Sequence, residues 1–376
     1  MNDALTRLND AGVSIWLDDL SRDRIESGNL AHLIADSHVV GVTTNPTIFA
    51  HALTSGKRYD RQLAELAHAQ ANTPEAVFEL ITTDVRLACD IFAPTFEASD
   101  GVDGRVSIEV APDLADDTAA TVASARRIRE AVDRRNCYIK IPATPAGFPA
   151  IRACLGEGID VNVTLIFGLE QYDAVLEAFI GGLEDARDGG LDISTIHSVA
   201  SFFVSRVDTE VDARLRARNA PGELFGQAGI ANARLAYAAQ DAKFGTDRWA
   251  ALQEKGARPQ RPLWASTGVK DPTYRDTMYV EELAGPGTVM TLPEATLRSV
   301  ADHGIITGDR VTAHRAESRA VLDTLMAAGI DYPDVIDTLT RQGIQKFERD
   351  WRRVATTVDG GLGRGDETGH RLPPSA

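Results

Sequence analysis

A chain of 376 residues, 43% hydrophobic and 25% charged, has enough apolar material for one large α/β barrel or two average domains. Its formal charge of −16 argues against nucleic acid or an anionic membrane as a partner, but leaves room for a small phosphorylated ligand held by a few local cations. No apolar run approaches the length of a membrane span, and the polar start MNDALTRLNDAG is unlike a secretory or transit signal.

Taken in chain order, short β-like runs alternate with longer helical patterns: 13–18, 39–45, 105–110, 137–142, 159–167, 197–206, 262–267 and 287–293. Eight such runs are the number that closes a parallel (β/α)8 TIM barrel, an α/β fold. Helices are expected over 73–93, 115–135, 145–156, 169–185 and 222–243, then 294–303 and 313–355 after the last strand. The extended connection 207–261 between strands 6 and 7 is too long for a single helix. A single barrel domain over 1–358, with extra N- and C-terminal helices, is followed by a Gly- and Pro-rich tail, 359–376, expected to be mobile. Cys89, Cys137 and Cys154 lack CxxC spacing and read as free buried thiols of a cytoplasmic protein. The eight histidines show neither HxH nor HExxH spacing, so no metal site is expected.

Period-two alternation within the strands is the most informative pattern. Val13, Ile15 and Leu17 oppose Ser14, Trp16 and Asp18; Val106, Ile108 and Val110 oppose Ser107 and Glu109. Cys137, Ile139 and Ile141 oppose Tyr138 and Lys140, and Val161, Val163 and Leu165 oppose Asn162 and Thr164. In a barrel the apolar faces meet the helices. Asp18, Asn45, Glu109, Lys140, Asn162 and Thr164 then converge on the interior near the strand ends, where barrel enzymes keep their chemistry.

A lysine enclosed by apolar strands loses hydration of its charge, which favours the neutral, nucleophilic amine. Such an amine adds to a ketone and forms a Schiff base, an electron sink for carbon–carbon cleavage. Two carboxylates, Asp18 and Glu109, can divide the proton transfers that this requires, while Asn45, Asn162 and Thr164 can orient hydroxyls or a relay water. Each residue also has a plain structural alternative. Lys140 and Glu109 can simply neutralise each other, Asp18 can cap the next helix, Asn45 before Pro46 can be an N-cap, and Thr164 can be packing.

The segments 16-WLDDLSRD-23, 39-VVGVTTNPTIF-49, 107-SIEVAPDL-114, 138-YIKIPAT-144, 161-VNVTLIF-167, 200-ASFFVSRVD-208, 264-WASTGVKDP-272 and 292-LPEATLRSVADHG-304 resemble the transaldolase family in its long bacterial form. The resemblance spans about residues 10–355. It implies a Schiff-base lysine, Lys140, on the fourth strand and transfer of a dihydroxyacetone unit from sedoheptulose 7-phosphate to glyceraldehyde 3-phosphate. The products would be erythrose 4-phosphate and fructose 6-phosphate, made in the non-oxidative pentose phosphate pathway with no metal or organic cofactor. It further implies Asp18 as the acid/base of C–C cleavage and Glu109 with Thr164 as holders of the catalytic water. Asn45 and Asn162 would hold the dihydroxyacetone moiety, with Ser201 and Arg206 at the phosphate and Phe203 on the face of Ser201. At the seventh strand the chain departs from the shorter relatives, which carry Ser then Arg: here Ser266 is followed by Lys270, which can supply the second positive charge or face solvent. The alternative activity is fructose-6-phosphate aldolase-type cleavage that releases free dihydroxyacetone. Sugar phosphates are the expected partners, and monomer and homodimer both stay open.

Overall fold

The computed structural model describes residues 4–363. Eight parallel strands close in sequence order into a barrel: β1 (Val13–Leu17), β2 (Val39–Thr43), β3 (Arg105–Glu109), β4 (Cys137–Pro142), β5 (Val161–Ile166), β6 (Ser198–Phe203), β7 (Arg261–Ala265) and β8 (Thr288–Leu292). Each lies within the run expected from sequence, apart from Arg261, one residue earlier.

The outward faces, including Val13, Ile15, Leu17, Val106, Ile108, Ile139, Ile141, Val161 and Val163, join one large buried cluster with the surrounding helices. Inside the barrel Trp16 stacks on Tyr138, with centroids 6.0 Å apart. The Arg105 guanidinium lies over the other rings, 4.7 Å from Tyr138 and 4.8 Å from Phe96, and pairs with Asp160 at 2.6 Å. Trp16 fits because its register partner on β2 is Gly41, where a Cβ would fall 2.6 Å from the indole. The lower barrel is therefore a floor packed with rings and a buried ion pair, and the open cavity lies at the C-terminal ends of the strands.

One strand breaks the expected alternation. Leu165 has φ of 58°, and the β5–β6 register shifts between Val163 and Ile166. Ile166 takes the outward place expected of Leu165, while Leu165 joins Phe167 in a second apolar cluster. Such a bulge reverses the facing of every later residue, and here it comes only after Thr164, which keeps its inward position.

The long β6–β7 connection contains three helices, Ser205–Ala217, Ala228–Phe244 and Asp247–Gln253. The helix expected from 222 begins at Ala228, because Gly226 at φ 69° separates it from a 3-10 turn at Gly222–Leu224. The segment expected as helical over 313–355 is two helices, Arg315–Ala327 and Tyr332–Gly361. Gly329 at φ 88° ends the first, and the Asp331 side chain caps the second by accepting from Asp334 N. That last helix overruns the expected domain end at 358 by three residues, and the tail beyond 363 lies outside the described residues. Cys89, Cys137 and Cys154 are buried and unbridged. Among the described residues no helix is long and apolar enough to cross a membrane, and no group of three or more His, Cys, Asp or Glu is placed to hold a metal.

Candidate active site

Parallel register sets Glu109 beside Lys140 and Lys140 beside Asn162, so three neighbouring strands present three polar side chains in one row. Above this row opens a cavity of about 250 Å³. Asp18, Asn45, Lys140, Thr164, Ser201, Phe203, Arg206, Ser266 and Lys270 all line it.

Lys140 is 4% exposed, and its Nζ donates to the Thr44 carbonyl at 2.8 Å. Glu109 Oε2 lies 3.8 Å from Nζ, an ion pair too long for a hydrogen bond. Burial, opposed by Lys140 and reinforced by Asp18, pushes the Glu109 carboxyl up to about 7. Its Oε2 and Thr164 Oγ1 are both buried without a hydrogen-bond partner among the described residues. Buried polar atoms are nearly always satisfied, so this pair suits an oxygen-bearing ligand or water in reach of Lys140.

The acidic pair after β1 divides by direction. Asp19 binds Arg24 at 2.5 Å, and Arg24 also reaches Glu294 at 2.7 Å. Asp18 turns to the cavity, where its Oδ1 accepts from Thr43 Oγ1 at 2.9 Å. Burial raises the Asp18 carboxyl above its ordinary range, against the lowering pull of Lys140, Thr43 and Lys270. The cap of the following helix is Ser21 and not Asp18.

Asn45 serves two purposes. Its Oδ1 caps the helix Pro46–Thr54 by accepting from Ile48 N at 3.0 Å, while the residue also lines the cavity. Asn162 does not line it. Fully buried, Asn162 donates to Ser107 Oγ at 3.0 Å and accepts from Ser201 Oγ at 2.8 Å, bridging β3 to β6 behind the wall. Glu109 is also outside this lining: it is within reach of Lys140 but lines a neighbouring cavity with Phe78, Asp113 and Arg127.

At the far end Arg206 stacks its guanidinium 5.1 Å from the Phe203 ring. Burial lowers its proton affinity, opposed by Asp18, Asp350 and Glu109. Lys270 is exposed at the rim, where it also lines the cavity, close enough to Asp18 to act on its charge. Neither cation forms an ion pair among the described residues, so two positive charges share the mouth of the cavity without a carboxylate in contact. Ser266, at φ 57°, hydrogen-bonds Ser205 through their Oγ atoms at 2.9 Å.

The sequence reading missed Thr43, Thr291, Thr47 and Lys346. Thr43 Oγ1 lies 2.5 Å from Thr291 Oγ1 and so orients the hydrogen bond to Asp18. Lys346, from the last helix, donates to Thr47 Oγ1 at 2.7 Å and Asp350 Oδ2 at 2.6 Å at the rim. Inward alternation could have found Thr43 and Thr291. Nothing local marks Lys346.

Residues 15–358 match the family model described as transaldolase/fructose-6-phosphate aldolase. A protein named transaldolase from Acidothermus cellulolyticus is 56% identical over 367 residues, covering 97% of this chain and 98% of its own. Another of that name from Thermobifida fusca is 57% identical over 360 residues, covering 95% and 98%. One from Frankia alni is 53% identical over 371 residues, covering 98% and 100%. The chain belongs to the transaldolase/fructose-6-phosphate aldolase family.

Proposed function

We propose that the chain works as a transaldolase, moving a dihydroxyacetone unit from sedoheptulose 7-phosphate to glyceraldehyde 3-phosphate through a Schiff base on Lys140. The observation that carries this reading is a buried amine 3.8 Å from a carboxylate, in a cavity whose mouth holds two cations free of carboxylate contact.

In this reading the Lys140 amine attacks C2 of the ketose to give a carbinolamine. Glu109, poised near neutrality, passes a proton through a water held with Thr164 so that the carbinolamine hydroxyl leaves as water. Asp18 then takes the C4 hydroxyl proton. The C3–C4 bond breaks, its electrons enter the iminium, and an enamine remains as the aldose phosphate departs. The acceptor aldose is attacked by that enamine, Asp18 returns the proton, and hydrolysis frees the product. Arg206 and Lys270 bind the phosphate with Ser201 and Ser266, Lys270 as a point charge in place of a bidentate fork. Asn45 holds the dihydroxyacetone hydroxyls, and Asn162 supports them through Ser201. The substrates are sugar phosphates handled in the cytosol, without nucleic acid or membrane partners.

The relatives' name favours transfer over cleavage that releases dihydroxyacetone. The test is borohydride reduction in the presence of fructose 6-phosphate, followed by peptide mass mapping. A reduced dihydroxyacetone adduct is expected on Lys140, and an active preparation with Lys140 unmodified would overturn the reading. Free dihydroxyacetone accumulating rapidly without an acceptor aldose would instead favour the aldolase.

A further inference from the structure

Arg206 is the second residue of the helix Ser205–Ala217, and Lys270 rides on the segment after β7. Along that helix Ser205, Asp208, Asp212 and Arg216 recur at spacings of three and four, which places them in one stripe. Every member of the stripe engages the segment that carries Lys270. Ser205 Oγ meets Ser266 Oγ at 2.9 Å, and Arg216 Nη2 donates to Asp271 Oδ2 at 2.5 Å. Between them, Tyr279 donates its hydroxyl to Asp208 Oδ2 at 2.7 Å and Tyr274 to Asp212 Oδ2 at 2.6 Å.

The second oxygen of each aspartate is also occupied. Asp208 Oδ1 accepts from Gly229 N at 2.7 Å and Asp212 Oδ1 from Gly226 N at 3.1 Å. A Cβ at Gly229 would fall 2.9 Å from Asp208 Oδ2 and 2.7 Å from the Val204 carbonyl, so the glycine permits this close approach. Asp208 and Asp212 are 1% and 2% exposed, and neither is ion-paired with lysine or arginine among the described residues. Burying two carboxylates without countercharges is costly. Apolar contacts would hold the helix and the segment together as well. Hydrogen bonds add a fixed direction and register that apolar contacts lack.

We propose that this stripe, centred on Asp208 and Asp212, is the positioning element for the phosphate end of the site. It fixes the spacing of Arg206 from Lys270 and so sets the preference for phosphorylated over unphosphorylated sugars. The inference rests on the reading of those two cations as phosphate ligands.

Tyr274→Phe and Tyr279→Phe each remove one hydroxyl and leave the ring in place. Borohydride trapping on the full chain gives the half-saturating concentration of two ligands. Fructose 6-phosphate reaches the phosphate end; dihydroxyacetone fills only the lysine end. Each variant is expected to raise the fructose 6-phosphate concentration roughly tenfold, the double variant further, because small misplacements of binding groups cost heavily. Trapping by dihydroxyacetone should be unchanged, which also reports an intact fold. An equal shift for both ligands would overturn the proposal. So would no shift in the tyrosine variants while Arg206→Ala shifts fructose 6-phosphate alone. If Arg206→Ala leaves both ligands unmoved, the phosphate reading itself falls, and the positioning role with it.

Discussion

Replacing Glu109 by Gln isolates the proton-transfer step, because shape is kept while charge and titratable proton are lost. At 3.8 Å from Lys140 Nζ, the attraction between the two charges is about 4 kcal/mol at an effective dielectric near 20. The substitution leaves the amine in place, with its hydrogen bond to the Thr44 carbonyl. Any fall in Schiff-base formation must then come from the missing proton relay. General acid–base catalysis of this kind is worth roughly 10²–10⁴-fold. Because Glu109 is held up to about 7, it exchanges a proton readily at neutral pH. The assay is the rate of borohydride trapping with saturating fructose 6-phosphate across roughly pH 5.5 to 8.5, a range that brackets the Glu109 ionisation. The unaltered protein should show a limb near pH 7, and Glu109→Gln should be at least ~100-fold slower with that limb gone. Similar rates and similar pH profiles in the two proteins would remove Glu109 from the relay.

Asp18→Asn should still form the reducible adduct on Lys140 with dihydroxyacetone yet lose C–C cleavage, by ~10²-fold or more; comparing trapping with turnover separates the two, and equal losses in both would contradict the role given to Asp18. Gly41→Ala places a methyl 2.6 Å from the Trp16 ring, and the overpacking should cost about 1–3 kcal/mol, read as a lower denaturation midpoint; an unchanged midpoint would mean the barrel floor can shift. Burial holds the Asp208 carboxyl up at about 7, so the folded chain retains a proton that the unfolded chain, with an ordinary Asp near ~3.9, has already released. The stability from that proton is fully present below about pH 4 and is lost as pH rises through 7. Asp208→Asn should therefore flatten the decline of urea-unfolding stability between about pH 4 and 7, the window between the two proton affinities, and an unaltered slope would exclude Asp208 as its source.

The interior placement of Lys140, Asp18, Glu109 and Thr164 was legible in the sequence because side chains alternate along a strand with a period of two, a local property. The eight-strand barrel was legible for the same reason, since apolar outward faces and regular helical spacers recur along the chain. Alternation tells which face a residue takes but not its depth or its neighbours. Asn162 points inward as expected, yet its carboxamide is taken up between Ser107 and Ser201, from strands 55 and 39 residues away along the chain. The bulge at Leu165 comes from a left-handed backbone that no period announces in a leucine. Lys346 reaches the rim from the last helix, and Asp208 and Asp212 meet Tyr279 and Tyr274 across more than 60 residues. What the sequence determined by itself was the direction of the strand side chains up to the bulge at Leu165, and with it the candidate nucleophile Lys140 and the candidate carboxylates Asp18 and Glu109. Only the tertiary structure decided that Lys270 lines the cavity with Arg206, and which hydrogen bonds join the segments that carry them, because those contacts depend on closure of the barrel and not on any local repeat.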